Sequence, residues 1–314
     1  MKKIALTCGD PAGVGPEIIE RWLAENPEEA QNVTAIGPKT WLDSLPCEGI
    51  AVGEENFEIT PGAPSEAGQC VALAAMERAA AGTRDGEFSA VVTAPVNKAG
   101  LKSIGYEFPG QTEFFAARWG GVPVMAFAGG KLSVVLATWH IPLRDVPAAL
   151  TEETLSRAVE QASFLARKTG EADSGRFALG EAASRRVSCS IGVGGLNPHA
   201  GEQGILGREE IEIIEPVLEK LRSRFPGLSH CVPADTIFAR QLRGEFDVVV
   251  ALYHDQALAP LKTVEFDEAV NISLGLPFIR TSPDHGTAYD IAGKGIAQIR
   301  SFANAVKMAK ILSS

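Results

Sequence analysis

The chain has 314 residues, of which 45% are hydrophobic and 22% charged, and its formal net charge is −10. That length can bury a large core and is long enough for two lobes. The lack of a long basic run argues against nucleic acid or an anionic membrane surface as a partner, so an anionic substrate needs a local cationic pocket. Five scattered cysteines (Cys8, Cys47, Cys70, Cys189, Cys231) without a CxxC, no signal-peptide pattern and no apolar run of membrane length lead to the expectation of a soluble protein of the reducing cytoplasm.

In chain order, residues 3–8 predict a short strand. A glycine-rich turn, 9–16, follows, then a helix over 17–25 with Ile18, Ile19, Trp22 and Leu23 on one face. Backbone amides in such a turn can meet an anion. This turn is neither GxGxxG nor a Walker A loop, however, and a tight structural turn explains it as well. A strand is predicted over 33–37, irregular surface over 44–64 and an alanine-rich helix over 65–81. The strand predicted over 88–93 ends near Asn97 and Lys98, and Thr112 suits the N-cap of a helix over 113–119. A buried strand over 132–138 precedes an amphipathic helix over 152–168 and a polar surface connection over 170–187. A strand over 188–193 and a helix over 208–224 follow, the helix with Glu209, Glu210 and Glu212 in its first turn, where the dipole favours them. Asp235 suits the cap of a helix over 237–242. The apolar run 247–252, a strand over 270–274 and a final helix over 294–312 complete the pattern. Strands alternating with helices define an α/β class with a mostly parallel sheet, α/β/α in layering.

Three of the five histidines recur in one topological place. His140, His199 and His254 each stand just past a predicted buried strand, in LSVVLAT-WH, SCSIGV-GGLNPH and DVVVAL-YH. Ligands of open α/β sheets bind beyond the carboxyl ends of strands. Any one of these residues alone is most simply a satisfied loop histidine. Three together point to a divalent metal with an open coordination position. Asp255 and Lys262 follow in the same stretch as candidates for proton transfer, Asp255 alternatively as a carboxylate that orients an imidazole.

The loops together resemble the 4-hydroxythreonine-4-phosphate dehydrogenase family of vitamin B6 biosynthesis. The stretches that carry the resemblance are GDPAGVGPEI (9–18), TAPVNKAGL (93–101), GQTEFFA (110–116), WHIPLRDVP (139–147), GLNPHAGE (195–202), GREE (207–210), PADT (233–236), YHDQAL (253–258) and VNISLGLPFIRTSPDHGTAYDIAGKGIA (270–297). The resemblance implies an isocitrate/isopropylmalate dehydrogenase-like fold with two lobes, drawn from the sequence as 1–120 plus 245–314 and 121–244. It implies one divalent metal on His140, His199 and His254, with zinc favoured over magnesium, cobalt or manganese. It implies a homodimer with the site at its interface, substrate contacts at Gln111, Thr112, Lys262, Asn271 and Arg280, and NAD or NADP held by His285, Gly286, Thr287, Ala288, Asp290 and Ile291.

The implied reaction is oxidation of 4-phosphohydroxy-L-threonine to a 3-keto acid that loses CO2 to give 3-amino-2-oxopropyl phosphate. One departure stands out. The family usually has Gly-His-Thr-Glu where this chain has Gly110-Gln111-Thr112-Glu113, and glutamine can hydrogen-bond but cannot carry charge. Either the swap is neutral, or the substrate is a related phosphorylated acid such as 4-phosphoerythronate or 4-phosphothreonate. A metal-dependent hydrolase is a more distant alternative that leaves 270–297 without a role.

Overall fold

The computed structural model describes residues 2–173 and 189–314. It has two compact units, one made of Met1–Pro123 with Asp267–Ser314 and the other of Val124–Phe266. The chain starts in β1 (Lys3–Thr7) and turns into α1 (Gly15–Glu25), where Pro16 sits in the first turn and no amide donor is needed. β2 (Val33–Gly37), α2 (Lys39–Leu42) and β3 (Glu48–Ala51) follow. β3 lies in the stretch expected to be irregular. It pairs only with β2 and buries almost nothing, so no apolar run announces it. Ser65 caps α3 (Glu66–Arg84) by accepting the Gly68 N–H at 3.1 Å. β4 (Phe88–Thr93), α4 (Lys98–Ser103) and α5 (Gln111–Trp119) end this part of the first unit.

The second unit opens with the hairpin β5 (Val124–Ala128) and β6 (Ser133–Leu136), then α6 (Val146–Ala149) and α7 (Glu152–Asp173). The connection expected over 170–187 begins inside α7, and from 174 to 188 it lies outside the described residues, as does the expected strand start at 188. After β7 (Ile191–Gly194), a wider π-helical turn over Glu210–Ile214 leads into α8 (Glu215–Arg222), so the helix expected over 208–224 is not one regular element. β8 (Leu228–Val232), α9 (Ala234–Leu242), β9 (Val248–Ala251) and α10 (His254–Glu265) complete the unit. Asp235 is inside α9 rather than capping it. The chain then returns to the first unit as β10 (Val270–Leu274), β11 (Ile279–Pro283) and α11 (Arg300–Ser313).

In the first unit the strand order is β3-β2-β1-β4-β11-β10, parallel except for the β10–β11 pair. In the second it is β5-β6-β9-β7-β8, parallel except for β5–β6. Residues 245–266, grouped by the sequence with the termini, belong to the second unit because β9 is wedged between β6 and β7. All four residues of β9 are buried, as an apolar run without alternation requires. The final helix starts at Arg300, since Gly293 and Gly295 hold left-handed backbone angles and keep the preceding residues in a loop. No helix among the described residues is long and apolar enough to cross a membrane.

Candidate functional site

β6, β9 and β7 are parallel neighbours, so their carboxyl ends share one edge of the second unit's sheet. His140, His254 and His199 leave from that edge. His254 is the first residue of α10, and its ring lies 5.6 Å from that of His140, centroid to centroid. The carboxylate of Asp255 accepts a hydrogen bond from His254 Nδ1 at 2.7 Å. Nδ1 therefore carries the proton and Nε2 keeps the lone pair that a metal would take. This fits Asp255 to the orienting role. Among the described residues no three His, Cys, Asp or Glu side chains are grouped to hold a metal ion. Within one chain, the structure thus brings together His140 and His254 but does not complete the set with His199. Two imidazoles and an orienting carboxylate fit a divalent metal as part of its shell.

His140 and His199 both have left-handed backbones, with φ of 52° and 53°. His199 begins a run of six residues with positive φ, 199–204, of which 199–203 form a left-handed turn. Each non-glycine residue in such a turn costs about 1–2 kcal/mol, so the turn persists only because its surroundings over-determine it. Glu210, 3% exposed, supplies the restraint. One carboxylate oxygen accepts the N–H groups of Leu196 at 2.8 Å and Asn197 at 2.7 Å, and the other accepts Asn197 Nδ2 at 2.9 Å. The sequence placed Glu210 with the helix dipole; its carboxylate instead ties down the loop that presents His199. Its signal was available in the GREE stretch, but a glutamate in a first turn has a simpler explanation.

Lys262 is half-buried on α10, and its Nζ lies 6.0 Å from the Phe266 ring centroid. It is seven residues from Asp255, so both project from one helix face. The far end of α10 is pinned by Glu265, 4% exposed, whose carboxylate accepts the N–H groups of Gly130, Lys131 and Leu132 in the β5–β6 hairpin.

In the first unit Arg280 is 4% exposed, and among the described residues only neutral oxygens bond to it. Its Nε and Nη2 donate to Thr93 Oγ1 at 3.0 and 2.7 Å, and its Nη1 donates to Asn271 Oδ1 at 3.0 Å. Burial pulls its pKa down to about 10. A buried cation without a carboxylate is costly, and a planar fork with donors to spare is a receiver for a carboxylate or phosphate. Thr112, expected as a cap, is instead buried in the first turn of α5, with Gly110 as the cap residue. Its Oγ1 lies 3.0 Å from Ser273 Oγ. Stacked and tilted rings fix α5: Tyr106 on Phe114 at 5.8 Å and Phe115 on Trp119 at 4.6 Å. Beside Thr112, the Gln111 side-chain oxygen is shut off from solvent with no hydrogen-bond partner among the described residues. Thr93 and Ser273 were not foreseen. Both were within reach of rules already in use, Thr93 as the last residue of a predicted strand and Ser273 two residues from Asn271 on the same strand face.

The loop after β11 carries the residues matched to a cofactor. His285, Gly286 and Asp290 are exposed, while Thr287, Ala288 and Ile291 are half-buried. Ala288 has a left-handed φ of 45°, and its carbonyl accepts the Ile291 N–H at 3.1 Å. The glycine-rich turn at 9–16 does not present its amides to an anion. Those of Asp10, Ala12, Gly13 and Val14 bond to Pro95 O, Asp10 Oδ1, Asp10 O and Thr287 O.

The first unit holds a buried guanidinium among neutral partners and the second a carboxylate-bonded imidazole pair, each on a mostly parallel α/β sheet. Residues 17–309 match the model of the family described as pyridoxal phosphate biosynthetic protein PdxA, and the chain belongs to that family. It is 41% identical to a Zymomonas mobilis protein named 4-hydroxythreonine-4-phosphate dehydrogenase, over 98% of this chain and 95% of that one. A solved 4-hydroxythreonine-4-phosphate dehydrogenase from Klebsiella pneumoniae superposes with a TM-score of 0.82 at 33% identity, covering 100% of both chains. A terephthalate 1,2-cis-dihydrodiol dehydrogenase from Burkholderia xenovorans is similar too, with a TM-score of 0.69 at 26% identity, over 99% of this chain and 98% of that one.

Proposed function

We propose that this protein is a NAD-dependent, divalent-metal-dependent dehydrogenase of 4-phosphohydroxy-L-threonine, whose 3-keto product loses CO2 to give 3-amino-2-oxopropyl phosphate. The observation that carries this reading is Arg280, a buried guanidinium that among the described residues bonds to Thr93 and Asn271 and to no carboxylate, which suits an anionic substrate. Family membership supplies the reaction class. Arg280 binds an anionic group of the substrate, and Thr112 and Asn271 orient it. His140, His199 and His254 hold the metal. A divalent metal held there would supply Lewis-acid chemistry to a substrate oxygen, and a nicotinamide cofactor would supply the oxidising power. Asp255 is engaged with His254 Nδ1, which leaves proton transfer at the substrate hydroxyl to Lys262. The loop 285–291 receives the dinucleotide.

The active form is read as a homodimer in which His199 meets the imidazole pair of a second copy. Two observations support this. Among the described residues no group of three His, Cys, Asp or Glu side chains could hold a metal ion, and Ile141, Leu143, Ile205 and Leu206, chain neighbours of the histidines, are exposed. A second reading has one observation in its favour. The unpartnered oxygen of Gln111 accepts but carries no charge, which suits a hydroxyl of a phosphorylated sugar acid such as 4-phosphoerythronate. Nicotinamide absorbance with zinc-replete protein and either acid in parallel decides between them. Turnover of 4-phosphohydroxythreonine alone supports the first reading, and turnover of 4-phosphoerythronate alone replaces it with the second.

A further inference from the structure

The turn at 9–16 has so far no functional role, and neither does the tyrosine in the middle of the cofactor loop. Asp10 is completely buried, and among the described residues no cation bonds to its carboxylate. Three donors hold it instead. Oδ1 accepts the Ala12 N–H at 3.0 Å, and Oδ2 accepts Gln69 Nε2 at 2.6 Å and the Tyr289 hydroxyl at 2.5 Å. The Tyr289 oxygen in turn accepts Asn97 Nδ2 at 2.9 Å, and Asn97 Oδ1 caps α4 through the Gly100 N–H at 3.0 Å. A buried carboxylate depends on each such donor, because an unsatisfied lone pair there has no water to turn to.

The same loop is gripped along its length by α1 and the turn before it. Val14 N–H donates to Thr287 O at 2.9 Å. Glu17 accepts the N–H groups of Gly293 at 2.9 Å and Ala297 at 3.1 Å, and Arg21 donates to the Ala297 carbonyl at 2.5 Å. A side chain at Gly13 would lie 2.8 Å from Thr287 O, so glycine is required there for the close approach of the loop and not for an anion. Ala288, the left-handed residue, sits between anchored Thr287 and anchored Tyr289. A backbone angle that alanine rarely adopts persists when both neighbours are fixed.

We infer that Tyr289 and Asp10 form a latch that positions the cofactor loop. The hydroxyl–carboxylate bond holds 285–291 in the shape that receives the dinucleotide, and so sets cofactor affinity without taking part in the chemical step. The inference rests on the reading of this loop as the NAD site. Tyr289→Phe removes one oxygen atom and leaves the ring in place. If the unlatched loop holds the competent shape about one-tenth of the time, the NAD dissociation constant and KM rise about tenfold, with kcat at saturating NAD and the substrate KM unchanged. Hydrogen exchange without NAD supplies a readout independent of turnover, and amides of 285–297 exchange faster in the variant. Equal NAD affinity in native and Tyr289→Phe protein overturns the latch alone. A native protein that binds neither NAD nor NADP overturns the cofactor reading, and the latch with it.

Discussion

On the proposed reading, Arg280 is a cation buried for substrate binding rather than for stability. A base whose pKa burial pulls down to about 10 holds its proton less tightly folded than unfolded. Below pH 10 the charged fork therefore costs folding free energy, and a bound anion offsets that cost. Two outcomes follow. Arg280→Lys keeps the charge but loses the fork, and raises the substrate KM about 100-fold, roughly 3 kcal/mol. Arg280→Met abolishes substrate binding yet does not lower Tm in thermal unfolding, because it removes a buried charge along with the function. A clear fall in Tm for Arg280→Met would mean that the arginine is structural. The residue itself was visible in the sequence only through the family resemblance. Read locally, Ile279–Pro283 has an arginine, a threonine, a serine and a proline where a strand wants apolar residues, and β11 was missed for that reason. Function displaced the strand signal there.

At the scale of elements, the glutamates Glu210 and Glu215 each tie one piece of chain to another. Glu210→Ala frees the amides of Leu196 and Asn197 and relaxes the left-handed turn at 199–203. A loss of about 3 kcal/mol in chemical denaturation is expected, from two or more bonds to a charged acceptor at about 1.5–3 kcal/mol each, less what water restores. Zinc affinity falls with it although no ligand has changed, which isothermal titration measures. Glu215, at the start of α8, reaches β8. Burial alone would raise its pKa, but the Cys231 N–H, Arg222 and His230 together hold it below its ordinary 4.5. A carboxylate depressed in the folded state adds stability above the unfolded value and loses it as pH falls through the folded one. Glu215→Gln should therefore flatten the stability profile below about pH 5 and lower stability at pH 7. Parallel acid limbs for native and variant would contradict this. Strands 33–37, 88–93 and 270–274 were legible to the residue because each is a short buried run between turns. β8 was not, since Leu228–Val232 alternates with Ser229 and His230 and lies at a sheet edge. β5 was hidden in one long apolar window, which the hairpin at 129–132 divides in two.

For the whole molecule, the sequence placed the three histidines past three strand ends, and β6, β9 and β7 are neighbours in the sheet. The rule cannot say which copy of the chain supplies each ligand, because one chain's pattern carries no information about its symmetry mate. If His199 serves the imidazole pair of a second copy, His140→Ala and His199→Ala proteins are each inactive alone. Mixed with subunit exchange, they regain about a quarter of native activity, since half the dimers are hybrids with one intact site of two. Ligands from a single chain would give no recovery. The central claim is oxidation followed by decarboxylation at a metal-assisted site. Its most direct test follows NADH and labelled CO2 together from carboxyl-labelled 4-phosphohydroxythreonine, with protein stripped of metal and then restored with zinc. Equimolar NADH and CO2 that appear only after zinc returns are expected. Substrate consumed with zinc but without NADH would contradict the account and point to a hydrolase.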